Sequence, residues 1–201
     1  MYTPKLYREE DRKTILEFLK QNNFPALVTH DGERLLATHL PVEVVEAGGE
    51  QLSICSHMSR ANPQWKSFGT QEALLIFQGA HTYISPTWYD HVNVPTWNYR
   101  MVHVYGTLRI VEGDELKSVL GRLVERHEPT SEYRLESLPQ AYVEKEMKGT
   151  LGFVMDVTRI DAGFKLSQNR SDADHENIIH ELEKRGDAQS KDVAQAMKKN
   201  R

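Results

Sequence analysis

Segment 57–65 carries the residue types that hold a phosphate group. It reads HMSRANPQW, follows a predicted strand and opens one or two predicted helical turns at 61–68. The N–H groups at a helix start favour anions, Ser59 can donate a hydroxyl hydrogen bond, and Arg60 can direct two N–H bonds at phosphate oxygens. The segment therefore predicts a phosphate site, and the alternative is a solvated corner between a strand and a helix.

Two aromatic segments could supply a flat wall for a conjugated ring. Segment 78–89 ends in Trp88 and Tyr89, and segment 94–99 adds Trp97 and Tyr99. Aromatic side chains offer large contact areas and, in Trp and Tyr, one polar group each. Without further observations, packing in a core or between subunits is the favoured interpretation.

Segment 165–170, which reads KLSQNR, follows the last predicted strand and is dense in hydrogen-bonding groups. Burying such groups without partners costs free energy. The segment is therefore either a solvated connector or one wall of a ligand site, where Lys165 would give a charged contact and Gln168 and Asn169 neutral ones.

Histidine and cysteine spacing gives little support to metal or nucleophilic chemistry. The nine histidines form no HxxxH or HExxH pair, so no metal site is expected. Cys55 is the only cysteine, which excludes an intrachain disulfide and zinc sites built on CxxC pairs. It is expected to be a small buried strand residue in a reducing compartment. The chain also lacks the GxSxG, Walker and GxGxxG motifs.

Composition predicts a soluble, cytoplasmic protein. Of the 201 residues, 39% are hydrophobic and 27% charged, and no apolar run approaches the ~20 residues that a membrane helix needs. The amino terminus lacks the apolar stretch of a secretory signal. A net charge of −4 argues against a surface that binds nucleic acid throughout.

Hydrophobic periodicity predicts a strand-rich chain that begins and ends with helices. Short strands separated by turn signals, such as Asp31-Gly32, are typical of a small closed or partly open barrel. Pro41 indicates an edge or a bulge. The predicted elements are a helix at 8–21, strands at 26–29, 35–45, 51–56, 73–78, 82–85, 101–111 and 151–157, a turn at Gly48-Gly49, a helix after Asp114, a helix opened by Pro139 and ended at Gly149, and a helical tail from 172 that is broken at Gly186.

Seven stretches form an ordered set that runs over nearly the whole chain: LATHLP (36–41), HMSRANPQW (57–65), IFQG (76–79), YISP (83–86), VPTWNY (94–99), VHVYG (102–106) and KLSQNR (165–170). This ordered set resembles the PaiB family. Two positions depart from the family pattern, Ala80 where proline is usual and Arg100 where a small residue is usual. Arg100 would place a charge near the presumed interface between subunits.

The resemblance implies an α+β, mostly antiparallel split β-barrel of the pyridoxamine-phosphate-oxidase type, with peripheral helices. It implies a homodimer that holds FMN between its subunits, and haem is the alternative cofactor on such barrels. We expect residues 1–170 to form the barrel domain and 171–201 a helical extension of the same domain. The expected cofactor-binding residues are Thr38, His39, His57, Ser59, Arg60, Asn62, Trp97, Lys165 and Gln168.

The resemblance also implies a function in transcription, because the family's type member is described as a repressor of sporulation and protease genes. Two alternatives stay open on the same barrel: a flavin-dependent oxidoreductase or haem-handling enzyme, and a DNA-binding module with an empty site. Histidines 39, 57 and 103 are candidates for a place beside a flavin ring. Acidic residues interleave with the lysines of the tail, so its charge gives little support to direct DNA binding.

Overall fold

The computed structural model describes residues 1–46 and 51–200. The fold is α+β with an antiparallel sheet, as predicted. Among the described residues no helix is long and apolar enough to cross a membrane. The strands are β1 (Ala26–His30), β2 (Leu35–His39), β3 (Val42–Glu46), β4 (Leu52–Ser59), β5 (Ala73–Ile84), β6 (Thr96–Val111) and β7 (Thr150–Lys165). The helices are α1 (Arg12–Gln21), α2 (Gly113–His127), α3 (Gln140–Lys148), α4 (Asp172–Arg185) and α5 (Ala188–Lys199), with 3-10 helices at Lys5–Tyr7, Pro63–Ser67, Pro86–Trp88 and Leu135–Ser137.

The strand order of the sheet explains how it forms a barrel. The order is β2-β1-β5-β6-β7-β4-β3, so its two end strands, β2 and β3, follow each other directly in the chain. Only Leu40 and Pro41 separate them, and the sheet must therefore curve until its ends approach each other. The predicted single strand at 35–45 is wrong. Proline has no N–H for a ladder, and the chain changes partner at this point, from β1 to β4.

The chain divides into two compact units. The barrel unit comprises residues 19–77 and 103–160, and the tail unit comprises 1–18, 78–102 and 161–201. The expected boundary between a barrel domain at 1–170 and an extension at 171–201 stays a prediction.

The core of the barrel unit is built from strand residues that alternate with outward-facing ones and from one side of α2. Val119 and Leu123 of α2 pack against Cys55, Val111 and Val154. Cys55 is buried in β4 as predicted, and burial raises the pKa of its thiol.

Close packing in the barrel unit also depends on a glycine in β6. A Cβ at Gly106 would overlap the backbone oxygen of Asp156 and approach Met155 Cγ at 2.7 Å. Strands β6 and β7 therefore meet there without room for a side chain.

In the tail unit, α4 and α5 form a helical pair, and a glycine lies in the short connection between them. Gly186 ends α4 in the left-handed region (φ +79°), which confirms the predicted break. Ser171 accepts a hydrogen bond from the N–H of Asp174 and caps α4, and Asp187 does the same for Ser190 at the start of α5. The buried residues Ile178, Leu182, Val193 and Met197 lie on these two helices.

The unusual Arg100 lies partly buried in the tail unit. Its guanidinium carbon lies 5.5 Å from the ring centroid of Phe18 and 5.9 Å from that of Phe164. Burial lowers the pKa of Arg100, and the charge of Asp192 partly opposes that shift. The Arg100 side chain therefore packs against residues of its own chain.

Helix α1 begins four residues later than predicted. The carboxylate of Asp11 accepts a 2.7 Å hydrogen bond from the N–H of Thr14 and caps the helix, while Arg8 pairs as an isolated bridge with Gly163. The acidic residues before Arg12 therefore precede the first turn. At α2 the residue in the cap position is Glu112, and Asp114 lies in the first turn, so this helix begins just before Asp114 and not after it.

Strand β5 is continuous where two strands were predicted. Gly79 and Ala80 lie within it and do not interrupt it. Strand β4 extends to Ser59 and β6 begins at Thr96, earlier than the predicted 101. Pro139 precedes α3 and Gly149 follows it, as predicted. The predicted Gly48-Gly49 turn lies outside the described residues.

Candidate ligand-binding site

The turn that follows β4 places Ser59 and Arg60 at the surface of the barrel unit. The N–H of Arg60 donates to Gly149 O at 2.9 Å, and the N–H of Asn62 donates to Ser59 O at 3.0 Å, so two backbone hydrogen bonds fix the turn. The helix predicted after it is a five-residue 3-10 helix, and the Asn62 side chain already accepts the N–H of Gln64. The groups this turn offers an anion are therefore the Ser59 hydroxyl and the Arg60 guanidinium.

Arg60 already has an acidic partner. Its Nη2 lies 3.0 Å from Glu112 Oε1 and also donates to Thr150 O at 3.4 Å, while its side chain stays 40% exposed. A guanidinium has five N–H donors, so Nε and Nη1 can still turn toward an anion. An incoming phosphate would compete with the Glu112 carboxylate.

Thr38 and Asn62 belong to a hydrogen-bond network beneath this turn. Asn62 Nδ2 donates to Thr38 Oγ1 at 2.9 Å, and Thr38 donates to Gln64 Oε1. Gln64, only 1% exposed, donates in turn to Leu27 O and Thr29 Oγ1 of β1. This role of Gln64 is not predictable from the sequence, because a glutamine after a proline carries no signal that it will be buried.

The two histidines of the expected set differ in their surroundings. His39 is exposed, and its ring stacks on Phe24 with centroids 6.4 Å apart. His57 is partly buried, its Nδ1 has no hydrogen-bond partner among the described residues, and burial lowers its pKa. Its ring lines a cavity of about 400 Å³ beside α2.

The predicted aromatic wall is divided in the tail unit. Trp97 is 53% exposed and lies 6.1 Å from the ring of Tyr83 and 6.2 Å from that of His81, so these three residues form an aromatic surface. Trp88 and Tyr89 instead carry arginines over their rings, Arg185 at 4.6 Å and Arg170 at 4.8 Å. Only part of the two segments therefore remains available to a ligand or a subunit.

Segment 165–170 satisfies many of its own polar groups. Gln168 accepts from the N–H of Leu166 at 2.8 Å and donates to Phe164 O, and the buried Ser167 (φ +62°) accepts from Asn98 at 2.9 Å. These contacts hold the backbone of the segment in place, so the segment is not a solvated connector. Gln168 consequently shapes the turn.

Lys165 is the charged group of this segment. Its Nζ donates to Thr96 Oγ1 and lies 5.8 Å from the centroid of the Tyr7 ring. Burial lowers the pKa of Lys165, and the charge of Arg170 adds to the shift. An anionic group in contact with Lys165 would offset this electrostatic cost.

Asp90, His91 and Asp174 meet in the tail unit, which the sequence analysis did not foresee. His91 Nδ1 lies 2.7 Å from Asp90 Oδ1 and 3.5 Å from Asp174 Oδ2. The N–H of Asp90 donates to the buried Asp174 at 3.0 Å, and this hydrogen bond is the main reason that the pKa of Asp174 is lowered. These contacts tie the loop after Tyr89 to the start of α4.

Comparison with known proteins gives concordant results. Residues 1–159 match the family described as "Putative FMN-binding domain". The chain is 36% identical over 200 residues to the "Protease synthase and sporulation protein PAI 2" of Bacillus subtilis strain 168, which covers 98% of this chain and 96% of the relative.

Two solved structures share the fold at low sequence identity. One is the FAD and heme binding protein from Mycobacterium smegmatis (TM-score 0.63, 14% identity, 84% of this chain and 78% of that chain). The other is the flavocytochrome Anf3 from Azotobacter vinelandii (TM-score 0.61, 16% identity, 79% and 69%). The split-barrel prediction is therefore confirmed.

Proposed function

Because the chain belongs to the PaiB family of FMN-binding domains, we propose that it binds FMN and acts as a flavin-bound regulator. The observation that carries the flavin proposal is the exposed Ser59-Arg60 turn inside the matched region. That turn combines a hydroxyl donor with a planar guanidinium, and both groups donate hydrogen bonds to phosphate oxygens.

In the barrel unit, the contacts to the phosphate divide into direct and supporting ones. Ser59 and Arg60 bind the phosphate. His39 is exposed and can make a separate contact with it. Thr38 and Asn62 act through their hydrogen bonds, which hold the turn in place on β2. Truncating Asn62 would therefore weaken binding by loosening the turn.

In the tail unit, Trp97 offers an exposed indole face and Lys165 a partly buried ammonium group. Within this unit, Trp97 would stack on a conjugated ring and Lys165 would bind an anionic or carbonyl oxygen. Gln168 keeps Lys165 in place, because its amide closes the turn that follows β7.

The regulatory part of the proposal rests on the Bacillus relative, whose name refers to protease synthesis and sporulation. We expect a homodimer in the cytoplasm, where the single buried thiol of Cys55 stays reduced. The net charge of −4 argues against wide contact with DNA.

The test of FMN binding compares two arginines of the barrel unit. Quenching of flavin fluorescence on titration gives the dissociation constant, and the visible spectrum of the purified protein shows whether flavin or haem was carried along. Arg60→Ala should weaken FMN binding by about tenfold, since a charged hydrogen bond is lost at a half-exposed position.

Arg109→Ala is the matched control. Arg109 is also a half-exposed arginine paired with a glutamate, Glu115, at 2.8 Å. It should leave the dissociation constant unchanged. Equal affinities for wild type and Arg60→Ala would show that the phosphate does not bind at this turn. Steady consumption of NAD(P)H by the FMN-loaded protein would favour an oxidoreductase over a regulator.

A further inference from the structure

The cavity that His57 lines is a second candidate site in the barrel unit. It measures about 400 Å³, within the range of small-molecule pockets, and apolar side chains of α2 form one wall. Its lining residues are Pro41, His57, Leu120, Leu123, Val124, His127, Glu128, Tyr133 and Leu135. Neither Ser59 nor Arg60 is among them.

A partly buried imidazole in this wall has a shielded nitrogen without a hydrogen-bond partner in the described part of the chain. His57 Nδ1 is shielded from solvent and has no partner among the described residues, and burial lowers the pKa of the ring. An uncharged imidazole has one donor and one acceptor nitrogen. Buried polar groups are normally paired, so the unpaired nitrogen marks a place in this wall where the described chain does not complete its own hydrogen bonds.

The mouth of the cavity favours a cation over an anion. Glu128, at the carboxyl end of α2, is exposed, and the last carbonyl groups of a helix carry partial negative charge. No lysine or arginine is found among the described residues that line the cavity. His127 and Tyr133 contribute the other polar groups of the rim, an imidazole and a phenol.

We propose that this cavity binds an amine with an apolar body, separately from the flavin. The hydrocarbon or aromatic part contacts Leu120, Leu123 and Val124, while the ammonium group lies at the mouth beside Glu128. Binding of this kind involves no covalent step and does not depend on whether FMN binds at Ser59 and Arg60.

The probe is 4-phenylbutylamine, and 4-phenylbutan-1-ol, which lacks the charge, is its matched control. Isothermal titration of the full chain should show the amine binding more tightly than the alcohol. Glu128→Gln should weaken the amine by roughly threefold, as expected for an exposed ion pair, and should leave the alcohol unchanged. Glu125→Gln, an exposed glutamate on the same helix, should change neither affinity.

Leu120→Trp tests the cavity itself. Filling the space should reduce the affinity for the amine by about tenfold or more while FMN affinity stays the same. Equal binding of amine and alcohol, no binding of either, or unchanged amine binding in a folded Leu120→Trp protein would overturn the proposal. So would a joint loss of FMN and amine affinity, which would make the cavity part of the flavin site. If Leu120→Trp does not fold, the comparison of Glu128→Gln with Glu125→Gln decides.

Discussion

At the residue scale, Arg60 is paired with an acid that would compete with a phosphate. Glu112 lies 3.0 Å from its Nη2 and is itself well exposed. The sequence indicated Ser59 and Arg60 through their place in one motif. It could not indicate Glu112, which lies 52 positions away and meets Arg60 only because the barrel folds.

Removing that competitor should strengthen phosphate binding. Glu112→Gln keeps the shape of the side chain and deletes its charge, so FMN should bind roughly two- to fivefold more tightly. Glu115→Gln, which frees Arg109 in the same way, is the control and should have no effect. Weaker FMN binding in Glu112→Gln would mean that the carboxylate supports the site instead of competing with its ligand.

His57 should make stability depend on pH. Burial lowers its pKa in the folded protein from the ordinary value of 6.5, so the unfolded chain binds a proton more readily as the pH falls below that value. The free energy of unfolding should therefore decrease on acidification through this window.

The contribution of His57 can be isolated by substitution. His57→Gln should show a shallower decrease than wild type in urea titrations between neutral pH and about pH 5, and His39→Gln, at an exposed position, should follow wild type. Parallel pH profiles for His57→Gln and wild type would show that burial of this ring costs the folded state nothing.

At the element scale, the sequence predicted the kinds of element better than their connections. Helices α2 to α5 follow from apolar periodicity and from local signals such as Pro139 and Gly186. The closing of the barrel at Leu40-Pro41 does not, because periodicity at 35–45 is the same whether one strand pairs with one neighbour or two short strands pair at opposite ends of the sheet.

Gly106 illustrates a constraint that only the packed sheet reveals. Gly106→Ala should destabilise the protein by about 2 kcal/mol or more, because its Cβ would overlap the backbone of Asp156 and cannot be accommodated by a side-chain rotation. Gly121→Ala, in α2, is the control. Nothing lies within 4 Å of its Cβ, and alanine favours a helix by up to about 1 kcal/mol.

Urea denaturation of the three proteins measures both effects. Wild type should lie between the less stable Gly106→Ala and the more stable Gly121→Ala. A Gly106→Ala protein as stable as wild type would show that β6 and β7 can separate locally at little cost.

At the scale of the whole molecule, some of the polar groups that suggested a ligand form their hydrogen bonds within the chain. Segment 165–170 is predicted to be either a solvated connector or a ligand wall, and as a ligand wall its donors would need a flavin as their partner. Ser167 and Gln168 instead bond to Asn98 and to the backbone of β7, contacts that a linear reading of the composition cannot foresee. The remaining case for contacts beyond the chain rests on Lys165, whose pKa is lowered by burial, and on the exposed aromatic surface.

The aromatic surface of His81, Tyr83 and Trp97 is the surface that we expect the homodimer to cover. Trp97 is 53% exposed, and Val92 and Val94 of the same unit are exposed as well, whereas soluble monomers rarely leave large apolar patches in water. A twofold interface would cover the same patch on both subunits.

Light scattering should give twice the chain mass at micromolar protein. Trp97→Glu should shift that mass toward the monomer, since pairing the surface would bury two uncompensated charges. Tyr142→Glu, at an exposed tyrosine of α3, should leave the dimer intact and shows that an added charge alone is not responsible. A wild-type protein with the mass of one chain, or a Trp97→Glu protein that remains dimeric, would exclude this surface as the interface.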